Sequence, residues 1–195
     1  MRPAPKSTDA TEHVPHARHS IAALGRWDTA ALVAGQRRLA RPAVVRGARA
    51  LSHFGEHAIG WLALGGLGAA CDRSRRGEWM YAGATIAAAH GASIVLKRVL
   101  RRHRPQDPRV RVLVATPSRL SMPSSHATST TAAAIAFSGL LGTPLMPVLV
   151  PPMAISRLVL GVHYPADVAS GIALGALIAR VAARRSRYGR GCETK

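Results

Sequence analysis

A chain of 195 residues is enough for one domain and little more, and its 27 Lys+Arg against 9 Asp+Glu leave a net charge of +18. Such a charge points to nucleic acid or to an anionic membrane surface. Aromatic residues are only 4% of the chain and nowhere interleave with basic ones, so base stacking is excluded; the charge reads as attraction to anionic membrane lipids, with no nucleic-acid partner.

In chain order, residues 1–22 are rich in Pro, His, Ser and Thr and lack the apolar run of a signal peptide; they read as a disordered basic arm. Residues 23–50 mix apolar side chains with Arg37, Arg38, Arg41, Arg46 and Arg49. This pattern predicts one or two amphipathic helices at the membrane interface, broken at Pro42. Residues 51–184 then hold five apolar blocks: Ala58–Cys71, Trp79–Leu96, Ala127–Gly142, Leu145–Val162 and Val168–Ala183. Each approaches the roughly 17–25 residues that cross a bilayer. Trp79 and Tyr81 suit an interfacial belt. Residues 185–195 form a basic tail. The expected fold is all-α: a polytopic membrane bundle of about five transmembrane helices plus an N-terminal amphipathic helix. Gly171 and Gly175 form a small-xxx-small pair suited to close helix packing, and also a candidate homo-oligomer face. The two cysteines, Cys71 and Cys192, form neither a disulfide framework nor a zinc spacing.

Counting helices brings distant segments to one membrane face. If the second block ends on that face, the loop 97–123 lies there, the third block leaves it and the fourth returns to it at His163. "KRVLRRHRP", "PSSH" and "HYPAD" therefore share a face, and Ser52–His57 joins them. This face also holds the larger share of Lys and Arg, which the positive-inside rule places in the cytoplasm.

The shared face concentrates chemistry. Lys97 and Arg104 are seven apart; if the helix continues through them they lie on one side and suit a dense anion such as a phosphoryl group. Pro123 to His126 open the third helix, where unpartnered backbone N–H groups and the hydroxyls of Ser124 and Ser125 favour an anion. His126 can give and take a proton near neutrality. Arg157 is a charge inside an apolar block, costly unless paired or functional. Asp167 follows His163 by four residues and can accept from one ring nitrogen, leaving the other free as a nucleophile, or it can cap the helix opened by Pro165.

Lys97-x6-Arg104-Pro105, Pro123-Ser124-Ser125-His126 and Ser156-Arg157-x5-His163-x3-Asp167 together resemble the signature of the type 2 phosphatidic acid phosphatase superfamily, with Ser125 where that family usually has glycine. The resemblance implies that His163 attacks phosphorus and forms a phosphohistidine, that His126 protonates the leaving alkoxide and then activates water, and that Asp167 orients His163. It implies that Lys97, Arg104, Ser124, Ser125 and Arg157 hold the phosphoryl oxygens, with no metal and no other cofactor. "LSHFGEHAIGWLAL", "PSSHATSTTAAA" and "SRLVLGVHYPADVA" are similar to the short actinobacterial branch that dephosphorylates decaprenylphosphoryl-5-phosphoribose, on the way to the arabinose donor for cell-wall arabinan. This implies a polyprenyl phosphate substrate in the plasma membrane.

Three other readings compete. A general lipid phosphatase acting on phosphatidate, phosphatidylglycerophosphate or an isoprenyl diphosphate shares the motifs. A non-catalytic basic membrane-interaction protein shares the charge, but it needs no His126, His163 and Asp167 at these spacings. "HFGEH" matches the H-x-x-E-H zinc pattern, yet Gly55 weakens the helix between its histidines; His53, Glu56 and His57 fit better near the substrate head group.

Overall fold

The computed structural model describes residues 15–192, and the side chains of residues 25–185. The first part of the expected arm, residues 1–14, and residues 193–195 of the tail lie outside the described residues. Seven α-helices follow: α1 (Pro15–Leu39), α2 (Pro42–Gly55), α3 (Ile59–Cys71), α4 (Arg76–Leu100), α5 (Ser125–Leu141), α6 (Met146–Val159) and α7 (Pro165–Cys192). One-turn 3-10 segments join α2 to α3 and α3 to α4, at Glu56–Ala58 and Arg73–Arg75. α1 begins inside the stretch expected to be disordered: Pro15 stands at its first position, where a missing N–H costs nothing. Likewise, α7 runs through residues 185–192 of the expected tail.

α5 is the central helix. It packs against α4, α6 and α7, and its Thr128, Ser129, Thr130, Thr131, Ala132, Ala133 and Ala134 are wholly buried. Small side chains allow this close approach. A Cβ at Gly171 of α7 would lie 2.6 Å from the Ser124 carbonyl oxygen, and one at Gly175 would fall on the Thr128 carbonyl. The Gly171/Gly175 face is therefore filled by α5 of the same chain. This corrects the expectation of an oligomer built on it: the close packing those glycines permit is internal.

The outside of the bundle is apolar. Ile59 and Leu67 of α3, Val95 and Val99 of α4, Val148 of α6 and Leu177 of α7 are all about 60–70% exposed, a surface suited to lipid rather than water. Two helical segments, Arg73–Leu100 and Pro165–Arg185, are long and apolar enough to cross a membrane. α3, α5 and α6 are shorter, at 13, 17 and 14 residues. α5 is walled by protein and carries the hydroxyls of four consecutive Ser and Thr residues.

α4 does not continue to Arg104, contrary to the two-turn spacing expected for Lys97 and Arg104. Arg101 takes a left-handed conformation (φ 51°) and its N–H closes the helix on the Lys97 carbonyl at 2.9 Å. The chain then turns back in extended form, pairing Arg104 N–H with the Arg119 carbonyl (3.1 Å) and Ser121 N–H with that of Arg102 (2.8 Å). Arg104 reaches the same place as Lys97 through this loop.

α1 and α2 close one end of the bundle. Pro42 opens α2 after a break at Ala40–Arg41. Leu32 and Gln36 of α1 are buried. The Gln36 amide donates to the carbonyls of Arg111 (2.7 Å) and Val159 (3.0 Å), and its oxygen accepts from Arg111 N–H (3.0 Å). α1 is thus sewn to the loop and to the end of α6.

Candidate active site

A cavity of about 420 Å³ opens where α2, α4, the 101–124 loop, α5 and the α6–α7 turn meet. Lys97, Arg104, Ser125, His126, Arg157 and His163 all line it. The three sequence motifs converge as the helix count requires, and the wall is completed by Ser52, His53, Glu56 and His57 from the α2–α3 junction.

His163 sits in the turn before α7 and is 2% exposed. Gly161 makes that turn possible: its φ is +69°, and a Cβ there would collide with the Arg111 carbonyl. Arg104 Nη1 lies 3.3 Å from His163 Nε2. Burial, followed by the positive charges of Arg104, Lys97 and Arg157, holds the His163 pKa well below the ordinary imidazole range, so the ring is neutral and a nitrogen lone pair is available. Asp167 Oδ2 is 3.6 Å from His163 Nδ1, longer than a hydrogen bond. Both carboxylate oxygens are held elsewhere. Oδ2 accepts from Tyr164 N–H (2.9 Å) and Oδ1 from Arg102 (2.9 Å). Asp167 therefore caps the turn and faces His163 at the same time.

Three cations surround the ring without a carboxylate of their own among the described residues. Lys97 donates to the Ser121 carbonyl (2.9 Å). Arg104 donates to the carbonyls of Ser118 (2.7 Å) and Val162 (2.6 Å), and burial lowers its pKa to about 10, which leaves it charged at neutral pH. Among the described residues Arg157, 2% exposed, donates only to the hydroxyl of its neighbour Ser156 (3.1 and 2.7 Å). Buried and half-buried cations held by neutral groups favour a dense anion in the space between them.

His126, one residue into α5, is fixed differently. Its Nε2 lies 3.0 Å from the Ser52 carbonyl, which can only accept, so Nε2 carries the proton and Nδ1 the lone pair in the neutral ring. Gly55 gives it room: a Cβ there would come within 2.9 Å of His126 Cδ2. Ser124 is the N-cap of α5, yet its Oγ makes no capping bond and is buried without a partner. Of the residues at the α2–α3 junction, His53 is largely exposed and 4.0 Å from Glu56. The α-helix ends at Gly55 and His57 is left-handed (φ 49°). The two histidines of "HFGEH" therefore do not present one helical face, the geometry that its zinc reading needs.

The PAP2 superfamily model matches residues 78–190, more than half of the chain and all three motifs. The chain belongs to the PAP2 superfamily. Among curated PAP2 relatives, the decaprenylphosphoryl-5-phosphoribose phosphatase of Mycolicibacterium smegmatis is 57% identical over 147 residues, 75% of this chain and 82% of that protein. The protein of the same name from Mycobacterium tuberculosis H37Rv is 54% identical over 157 residues, 80% and 89%. The crystal structure of a transmembrane PAP2-type phosphatidylglycerolphosphate phosphatase from Bacillus subtilis superposes with a TM-score of 0.67 at 21% identity, covering 82% of this chain and 86% of that one; it supports the fold. The chain is accordingly an all-helical membrane phosphatase of the PAP2 type. Its departure from the PAP2 pattern, Ser125, is accommodated by Ser93 of α4: the Ser93 hydroxyl donates to the His90 carbonyl at 2.6 Å and accepts from the Ser125 hydroxyl at 2.8 Å.

Sequence reasoning missed the parts that brace this PAP2 site. Arg102 bridges Asp167 (2.9 Å) and Asp28 of α1 (2.6 Å) and stacks over the Tyr164 ring at 4.3 Å. The other oxygen of Asp28 accepts from Ala166 N–H at 3.0 Å. Arg102 stood in a basic run and Asp28 in an interfacial segment, so no local spacing singled them out. Gly55 was read only as a helix breaker.

Proposed function

We propose that the chain removes the 5-phosphate of decaprenylphosphoryl-5-phosphoribose, through a phosphohistidine on His163. The observation that carries the chemistry is the cluster of three cations, Lys97 and Arg157 buried and Arg104 half-buried, without carboxylate partners among the described residues, around a neutral His163 in one cavity with His126. The identity of the curated relatives carries the choice of substrate.

Lys97, Arg104, Arg157, Ser124 Oγ and Ser125 bind the phosphoryl oxygens. His163 Nε2 attacks phosphorus while Asp167 holds the far edge of the ring. As the N–P bond forms, the P–O bond to C5 of the sugar breaks, and His126, which has taken the proton of the bound phosphate monoester on Nδ1, gives it to the departing alkoxide. Water then attacks the phosphohistidine, its proton goes to His126 Nδ1, and the N–P bond breaks to release phosphate and restore both rings. The charge that develops on the oxygens is met by fixed cations in a site shielded from water. His53, Glu56 and His57 lie along the head-group side of the cavity.

The chain is multi-pass in the plasma membrane, with anionic lipid head groups met by the arginines of α1, α2 and the loop. The active face is cytoplasmic by the balance of Lys and Arg. Exposed Cys71, at the opposite end of α3, is then labelled in intact cells by a membrane-impermeant thiol reagent; protection until the cells are lysed would reverse the sidedness.

Phosphate release from a panel of polyprenyl and glycerolipid phosphates tests the function. The expected result is the highest kcat/KM for the polyprenylphosphoryl 5-phosphopentose. Faster turnover of phosphatidate or of an isoprenyl diphosphate would replace the substrate and keep the mechanism.

A further inference from the structure

The wall of the cavity away from the three cations is not used by the chemistry above, and it is polar where an apolar wall would be expected. α4 presents His90, Ile94 and Lys97 to the cavity, a single helical stripe at i, i+4 and i+7. His90 and Lys97 are separated by about 10 Å along the axis, with His90 on the side of the bilayer interior. An ionisable residue inside an apolar span is costly and marks a use. Among the described residues no group bonds His90 Nδ1, which is buried, so that nitrogen does not fix the tautomer of the ring.

Across the cavity stands His57, with ring centroids 6.3 Å apart. His57 and Ala58 are consecutive non-glycine residues at positive φ, 49° and 61°, a conformation that costs about 1–3 kcal/mol at each residue and clusters at ligand sites. Glu56 lines the same wall.

We infer that Glu56, His57 and His90 form a sugar subsite that reads the vicinal hydroxyls of the pentose while its 5-phosphate lies among Lys97, Arg104 and Arg157. The inference rests on the proposed sugar-phosphate substrate and names the residues that select it. The chemistry of the set decides the ligand. Two imidazoles can each donate and accept, and a carboxylate accepts, so together they match hydroxyl groups, which do both. The Glu56 carboxylate disfavours an anion at this point, so the phosphodiester that links the sugar to the lipid lies beyond the subsite. The position also fits a lipid-linked sugar: the subsite lies deeper along α4 than the phosphate cluster, on the way to the apolar surface that carries the chain.

Two variants test it without dependence on one fold. His90→Leu removes the ring from α4. His57→Gly removes the ring and relieves the positive φ. kcat/KM is measured for a polyprenylphosphoryl-5-phosphoribose, for its 2-deoxy analogue and for a polyprenyl monophosphate without sugar. Wild type is expected to prefer the ribose compound over both others. Each variant is expected to lose about 10–100-fold of that preference, the scale of an unpaired buried polar group, and to discriminate poorly against the 2-deoxy analogue. If wild type shows no preference for the ribose compound over the sugar-free phosphate, the proposed substrate itself fails and the subsite with it. If wild type prefers ribose but both variants keep the full preference, or if wild type turns over the 2-deoxy analogue equally well, the substrate stands and the subsite is overturned.

Discussion

The two histidines of the site face one cavity and are held in opposite ways. His163 is buried, surrounded by cations and braced through Asp167, Arg102 and Asp28 to a helix more than 130 residues away in sequence. His126 borders the cavity and is held by one backbone carbonyl and by the absence of a side chain at Gly55. The proposed nucleophile, His163, must stay neutral and point one way, which burial and a rigid carboxylate provide. The proposed proton carrier needs contact with the substrate and water, and one hydrogen bond to a neutral acceptor fixes its orientation. The contrast separates electrostatic positioning from steric positioning, and each can be broken alone.

The largest effect is expected at the centre of the electrostatic side. His163→Ala should lower kcat by about 10⁴-fold or more while the protein remains folded in detergent, since no neighbour can replace the proposed covalent nucleophile. Acid-labile phosphoprotein trapped on wild type and missing from the variant is the direct readout. Near-normal turnover would end the phosphohistidine route.

The next break is the brace. Asp28→Asn and Arg102→Leu should each lower kcat by about 10–100-fold, the usual cost of losing a partner that orients a reacting group, with a smaller change in KM. Arg102→Lys should recover little, because a point charge cannot bridge two carboxylates and stack on Tyr164 as a planar guanidinium does. A pure loss of folding would instead lower the active fraction and leave the kcat of the remaining enzyme unchanged, which titration with vanadate as a five-coordinate phosphorus mimic distinguishes.

The brace also shows what was legible before the fold was known. Helix boundaries at Pro42 and Pro165 and the meeting of three motifs on one face follow from proline chemistry and from counting spans. The interior of the site follows from charges that have no local reason to be there: Arg157 in an apolar block and His163 four residues before Asp167. Arg102 and Asp28 carry no such mark, because their meaning arises only when α1 folds back over the α6–α7 turn. The path of the 101–124 loop was likewise hidden. A left-handed Arg101 ends α4 early, and nothing in "VLRRHRP" announces a positive φ at an arginine. The role of Gly171 and Gly175 was visible as close packing, but the partner helix was not.

On the steric side, Gly55→Ala should have a smaller effect, about tenfold on kcat. The backbone there is in the ordinary right-handed region (φ −83°), so alanine brings no conformational strain. Its methyl group presses on His126 Cδ2 and on Met153 Cε, at 2.9 and 3.0 Å. The ring has to shift, and its Nδ1 moves relative to the leaving oxygen. The formation of phosphohistidine from a substrate with a better leaving group, which needs less help from an acid, should be slowed less. Equal slowing for good and poor leaving groups would mean that the methyl group disturbs the phosphate cradle rather than His126.

The smallest effect sharpens the electrostatic half through pH. Because the folded state holds His163 neutral below its ordinary range, the unfolded chain binds a proton there more readily than the native protein does. Stability therefore rises with pH across the window between the lowered native value and the unfolded value of about 6.5, and it falls as the medium is acidified through that window. Wild type and His163→Gln, compared in detergent, should show similar changes in Tm above pH 7.5. Between pH 7 and 5.5 the wild type should lose more stability than the variant, which has no ring to protonate. The remaining histidines are common to both proteins and cancel in the difference. Parallel curves would show that the cations around His163 do not suppress its protonation, and the neutral nucleophile would have to be produced by the substrate on binding.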